Sequence, residues 1–122
     1  MSRILVIDDD NNFRNVIKCM LTNANYEVME ASSAQEGLAI TGKFFINLVI
    51  TDLYMPEFDG VHLICQFKEK FPGLRIIAMT GACSTGRTEH LLNLAMEKGA
   101  SDIFNKTDSL DILLRKVKSL LN

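Results

Sequence analysis

The 122 residues predict an α/β fold, an open doubly wound parallel sheet with helices on both faces. Three observations carry this. Strand-like and helix-like patterns alternate five times along the chain. The first and third apolar runs, which read as buried strands, each stop at aspartate. The chain is also far shorter than the roughly 250 residues of a closed βα barrel.

The elements follow in order. Arg3–Ile7 (RILVI) is a short apolar strand that stops at three aspartates. Phe13, Val16, Ile17 and Met20 then recur at i, i+3, i+4 and i+7, one face of a helix. Residues 26–30 (YEVME) alternate and read as a second, less buried strand. Ser33 and Glu36 have capping-box spacing for a short helix ending near Gly42. Residues 47–51 (NLVIT) are the third strand, stopped by Asp52. Pro56 and Gly60 make 53–59 a turning segment. A third helix carries Val61, Ile64 and Cys65 inward and ends before Pro72. Residues 75–79 (RIIAM) are the fourth strand. After the loop GACSTGRT, residues 89–98 are helical, with Gly99 as the C′ residue. Asp102–Asn105 is a short fifth strand. Leu110, Leu113, Leu114, Val117 and Leu120 form the stripe of the last helix. Five strands in this length fit the flavodoxin-like order 2-1-3-4-5.

Composition narrows the function. With 48% hydrophobic and 23% charged residues the chain is an ordinary globular domain, expected to occupy 1–122 as one unit. No apolar run approaches the 18 or so residues that span a bilayer, and aspartates interrupt the start too early for a secretory signal. The expected location is the cytoplasm, away from membranes. A net charge of -2 disfavours direct nucleic-acid binding. Cys19, Cys65 and Cys83 match neither CxxC spacing nor an even secreted set, and read as free thiols with one or more in the core. The last helix ends the chain, so no output module is expected within it and action must pass through a partner.

In open α/β sheets, ligands bind beyond the carboxyl ends of the strands, where strand order reverses. Strand one delivers Asp8 and Asp9 to that edge, strand three Asp52, strand four Thr80, and Lys106 follows strand five. Clustered carboxylates repel, and a hard cation relieves this; Mg²⁺ favours a few carboxylates with waters and phosphate oxygens. An aspartate beside Mg²⁺ can act as a nucleophile and form an acyl phosphate. The set suits reversible phosphorylation of an aspartate.

Asp8–Asp9 after ILVI, DLYMPEFDG from Asp52 to Gly60, Thr80 after RIIAM, Gly99–Ala100 and Lys106 together resemble the response-regulator receiver domain of two-component signalling. The resemblance runs over nearly the whole chain. It implies that Asp52 accepts a phosphoryl group from a phosphohistidine on a histidine kinase or histidine phosphotransfer protein. It implies an Mg²⁺ bound by Asp9, by Asp8 mainly through water, by Asp52 and by the backbone carbonyl of Tyr54. Thr80 would bond a phosphoryl oxygen. Lys106 would pair with Asp52 at rest and with phosphate afterwards. Such a domain is a switch that assists its own phosphorylation rather than an enzyme. Its output face would be the fourth helix, fifth strand and fifth helix, met by a downstream protein.

The sequence departs from the family in four places. Thr107 stands where a proline after a cis peptide is usual, and a non-proline cis bond costs roughly 3 kcal/mol. Ile103 replaces the aromatic residue whose ring reports activation, and Phe104 should face the other side of the sheet. The loop after strand four is longer than usual. Tyr54 and Ala82 occupy positions that tune phosphoryl lifetime, and bulk at one with no polar group at the other predicts slow autodephosphorylation.

Bland and rival readings stand beside this one. Asp10 reads as a helix cap, and His62 and His90 as non-catalytic residues on helices. GACSTGRT approximates a P-loop, but Arg87 replaces the phosphate-binding lysine. An aspartyl-phosphate phosphatase would use Asp8 as nucleophile and Asp10 as acid. A receiver-like binding platform would signal without phosphorylation.

Overall fold

The computed structural model of the chain describes residues 1–55, 58–81 and 87–122. The chain runs β1 (Arg3–Ile7), α1 (Asn11–Asn23), β2 (Glu27–Ala31), α2 (Ala34–Lys43) and β3 (Leu48–Asp52). It continues through β4 (Tyr54–Met55), β5 (Phe58–Asp59), α3 (Gly60–Lys70), β6 (Arg75–Thr80), α4 (Arg87–Glu97), β7 (Asp102–Asn105) and α5 (Leu110–Leu121). Five long strands pair in parallel as β2-β1-β3-β6-β7. Counting those strands alone, this is the expected order 2-1-3-4-5. β4 and β5 form a small antiparallel ribbon within the segment expected only to turn.

Strand alternation divides the core in two. Ile4, Val6, Leu48, Ile50, Ile77 and Met79 point to one face, where Ile17 and Leu21 of α1 and Leu113 and Val117 of α5 cover them. Leu5, Ile7, Val49, Ile76 and Ala78 point to the other, under α2, α3 and α4. Phe104 joins the first core and Ile103 packs against the second, so the two do face opposite sides. Each fully buried leucine or isoleucine contributes about 2 kcal/mol by leaving water. The central strands read as unbroken apolar runs because both of their faces are covered.

Several sequence expectations need correction. Val16 is 47% exposed. The buried stripe of α1 centres on Ile17 and Leu21, and Val16 lies roughly 100° around the helix from Ile17. β2 starts one residue late because the Tyr26 N–H closes the end of α1 on the Leu21 carbonyl at 3.0 Å. β3 also starts one residue late and takes in Asp52, which pairs with Met79. Asn47 instead clasps Arg3, its side chain accepting the Arg3 N–H at 2.8 Å. Cys19 is exposed and Cys65 half-buried, so the expected core thiol is not among the described residues; Cys83 lies outside them.

The caps of α1 and α4 behave as the sequence suggests, and the capping box of α2 forms in its Ser33 half. Asp10 accepts the N–H groups of Asn12 and Phe13 and starts α1. Ser33 accepts the Glu36 N–H and starts α2, while the Glu36 carboxylate is held by Ser32. Gly99, at φ +121, lets its own N–H reach Met96 and that of Ala100 reach Ala95, a complete Schellman end. Among the described residues, no helix is long and apolar enough to cross a membrane.

Candidate functional site

The carboxyl ends of β1, β3 and β6 lie side by side, and this places the polar residues. Asp8 leaves β1 fully buried, with its N–H on the Ala31 carbonyl at 3.1 Å. Its Oδ1 accepts the Asp10 N–H at 2.9 Å, and Arg14 donates to its carbonyl at 2.6 Å. Asp52 ends β3 at only 4% exposure. Its Oδ1 accepts the Tyr54 N–H at 2.9 Å. Lys106 is tied to the end of β6 by its own N–H, which donates to the Thr80 carbonyl at 2.8 Å.

From that anchor the Lys106 ammonium reaches both buried carboxylates. Nζ lies 2.8 Å from Asp52 Oδ2 and 2.7 Å from Asp8 Oδ2. Among the described residues no peptide is cis, so Lys106 makes this approach through a trans bond to Thr107. Thr80 is fully buried and its hydroxyl donates to the Gly81 carbonyl at 3.3 Å. Asp9 is exposed at the rim.

Burial pushes the Asp52 carboxyl above the ordinary carboxylate range. The Lys106 hydrogen bond and the Tyr54 N–H pull the other way without cancelling it, and the Asp8 charge adds to the rise. For Lys106, burial alone would lower the pKa; its bonds to Asp52 and Asp8 outweigh that and raise it. Two buried carboxylates thus share one ammonium, and the buried group is left short of positive charge.

Ligand atoms of Asp8, Asp9 and Asp52 all lie within 4.8 Å of one another. Three hard oxygen donors at that spacing, with a charge deficit, could hold a metal ion and suit a hard divalent cation. The donor set contains neither sulfur nor imidazole, so softer metals are less suited.

The site therefore gathers the six residues singled out in the sequence, with Tyr54 47% exposed beside Asp52. Two neighbours and one contact were not anticipated. The Phe13 ring lies under Lys106 Nζ, 4.7 Å from its centroid. Arg14 braces the Asp8 carbonyl, and Lys106 bridges to Asp8 as well as Asp52. Phe13 and Arg14 sit at the start of α1, just after the acidic run, the sole hint the sequence offers. His62 and His90 are exposed on α3 and α4. Ala82, and residues 82–86 of the P-loop-like stretch, fall outside the described residues.

The family profile of the response regulator receiver domain matches residues 4–118. The chain is 34% identical to a probable transcriptional regulator, ycf27, of Porphyra purpurea, over 98% of this chain and 47% of that protein. It is 34% identical to the transcriptional regulatory protein GlrR of Escherichia coli K12, over 65% of this chain and 18% of that protein. The chain thus spans less than half the length of these curated relatives. Its backbone superposes on a CheY-like receiver domain protein from Methanospirillum hungatei with a TM-score of 0.88, at 31% identity over 98% of this chain and 92% of the other. A receiver domain protein from Clostridium thermocellum gives a TM-score of 0.88, at 31% identity over 100% of this chain and 95% of the other. Motif, site geometry and relatives agree that the chain belongs to the receiver domain family of two-component response regulators.

Proposed function

We propose that this receiver is a phosphoacceptor switch in which Asp52 takes a phosphoryl group from a phosphohistidine of a histidine kinase or histidine phosphotransfer protein. The observation that supports it is the cluster of three carboxylates within 4.8 Å, with Asp52 paired to Lys106 at 2.8 Å. An Asp52 oxygen attacks phosphorus. The phosphorus–nitrogen bond breaks, and the imidazole nitrogen keeps its electron pair. Asp52 must be ionised for this, and Lys106 and the Tyr54 N–H oppose the burial that favours its protonated form.

Asp9, Asp52 and the Tyr54 carbonyl would hold Mg²⁺, with Asp8 acting mainly through water. When bound, Mg²⁺ neutralises charge on the transferring group. Thr80 bonds a phosphoryl oxygen, and Lys106 moves from the carboxylate to the phosphate. Most of the acceleration is positioning, so the chain is a switch that assists its own modification rather than an enzyme with turnover on others. Phosphorylation biases a two-state equilibrium of α4, β7 and α5, read by a downstream protein. Nucleic acid and membrane are not met by this domain itself, and its setting is the cytoplasm. Bulky Tyr54 and apolar Ala82 make hydrolysis slow.

A phosphatase reading with Asp10 as acid fits less well, because Asp10 is occupied capping α1. The binding-platform reading draws on Ile103, which cannot swing as a ring does. The deciding experiment is intact mass after incubation with Mg²⁺ and a small acyl phosphate. Wild type gains one phosphoryl group and Asp52→Asn gains none. An unmodified wild type would leave the platform reading, and label on Asp8 would mean a phosphatase.

A further inference from the structure

A cleft of about 840 Å³ opens at the opposite edge of the sheet, where β1, β3 and β6 begin. Two stretches of chain form its walls, 41–47 and 70–75, and Ser2 and Leu121 close it. Two adjacent helices end there in the same way. Lys43 closes α2 and Phe44 caps it, the Phe44 N–H donating to Ile40 at 2.9 Å. Lys70 closes α3 and Phe71 caps it, the Phe71 N–H donating to Phe67 at 2.7 Å.

Lysines in a last helical turn complement the helix dipole, so their presence alone has an ordinary cause. Of the aromatics beside them, Phe44 holds its ring against the Arg3 guanidinium at 5.5 Å, which leaves Phe45 and Phe71 to be explained. Phe45 is 78% exposed, Phe44 44% and Phe71 36%, three phenylalanines on one small surface. The charge is equally one-sided. Lys43, Lys70 and Arg75 line the cleft and, among the described residues, no aspartate or glutamate does, in a chain of net charge -2. Glu27, near the rim, is already matched by Arg3 at 3.2 Å.

We infer that this amino-edge cleft is a docking site for an acidic segment of a partner protein that also carries aliphatic or aromatic side chains. Carboxylates of the segment meet Lys43 and Lys70, with Arg75, which also donates to the Leu120 carbonyl, adding to the positive field, and its apolar side chains cover Phe45 and Phe71. The cleft is of the size that encloses a few side chains. Its concavity favours a peptide over a bilayer, which engages protruding surfaces. The site is independent of Asp52, since it lies at the other end of the strands, so it can recruit a partner whether or not Asp52 is modified.

The test uses the full chain and a fluorescent peptide of alternating glutamate and leucine, followed by anisotropy and by amide chemical shifts. Shifts should cluster at 41–47 and 70–75. Lys43→Glu combined with Lys70→Glu should weaken binding about tenfold. Phe45→Ser should weaken it about threefold or more. All three residues are exposed, and a dispersed amide spectrum verifies that the variants fold. Asp52→Asn should bind as wild type does. The inference is overturned if the peptide produces no shifts or shifts centred elsewhere. It is also overturned if charge reversal leaves affinity unchanged, or if a lysine–leucine peptide binds equally. Binding to anionic vesicles without binding to the peptide would assign the cleft to a membrane surface, and concentration-dependent shifts in the protein alone to a second copy. Either result also overturns it.

Discussion

The two edges of the sheet handle charge in opposite ways. At the carboxyl edge, Asp8 and Asp52 are buried and held by one ammonium, with Asp9 at the rim. At the amino edge, cations and phenylalanines stand exposed around a cleft that no aspartate or glutamate lines among the described residues. The same strands connect them. The difference shows where each edge stores free energy. A buried, under-compensated charge cluster is poised for chemistry and destabilises the fold until something offsets it. A solvated patch strains nothing and is free to be occupied or left bare.

Removing the ammonium is the most drastic way to break this contrast. Lys106→Ala strands two buried carboxylates without their shared partner. Stability should fall by about 3 kcal/mol, the lower end for a broken buried pair because Lys106 retains some exposure. Phosphorylation by a small acyl phosphate should slow about 100-fold, as for loss of one preorganised charge-stabilising group. Urea denaturation and intact mass measure the two effects. The amino edge should not respond; if Lys43→Ala had an equal effect, the contrast would fail.

Glycines sharpen the same comparison. A Cβ on Gly60 would sit 2.4 Å from the Leu53 Cα and 2.6 Å from its carbonyl oxygen, backbone that follows directly on Asp52. Gly60→Ala must displace that segment and should destabilise by about 3 kcal/mol. Gly42, in the last turn of α2, meets nothing within 4 Å. Gly42→Ala should stabilise by about 0.5 kcal/mol, since alanine is the better helix former. Thermal melts of the pair should move in opposite directions. A neutral Gly60→Ala would mean that the carboxyl edge is looser than its geometry implies.

Much of this was legible before the structure, and the limits have physical causes. Apolar runs identified the strands, the first and third ending at aspartate, and the topological rule then placed Asp8, Asp52 and Thr80 together. Periodicity could not rank Val16 below Leu21, because both lie near the apolar stripe and only packing against the sheet decides between them. The cation–ring contact of Phe13 with Lys106 joins residues from opposite ends of the chain, and no local pattern encodes it. The paired Lys–Phe helix ends were visible as letters, but only the parallel arrangement of α2 and α3 makes them one surface.

The raised pKa of Asp52 gives a pH dependence with a definite sign. The attacking group is the carboxylate, so phosphorylation should fail on acidification, and the midpoint should lie above 3.8, the ordinary aspartate value. Because the folded pKa is raised, Asp52 contributes stability when protonated and loses that contribution as pH rises through its folded pKa. Asp52→Asn should therefore stabilise the fold near neutral pH by about 1 kcal/mol, with the difference shrinking toward acid. Denaturation of both proteins across that range measures it. A destabilised variant would mean that the Lys106 pairing outweighs burial.

The smallest expected effect on phosphorylation concerns Phe13, whose ring faces the Lys106 ammonium. A cation over an aromatic face gains about 1 kcal/mol when partly shielded from water, and Lys106 is so shielded. Phe13→Leu keeps most of the apolar volume and removes the ring. Phosphorylation should slow about threefold and stability should fall by about 1 kcal/mol. Phe13→Tyr keeps the face and should restore both. Lys106 should also lose its ammonium at lower pH in the leucine variant, followed by NMR of its side-chain nitrogen. If leucine matches phenylalanine in rate and titration, Phe13 serves only as core packing, and the carboxyl edge manages its charge with carboxylates and lysine alone.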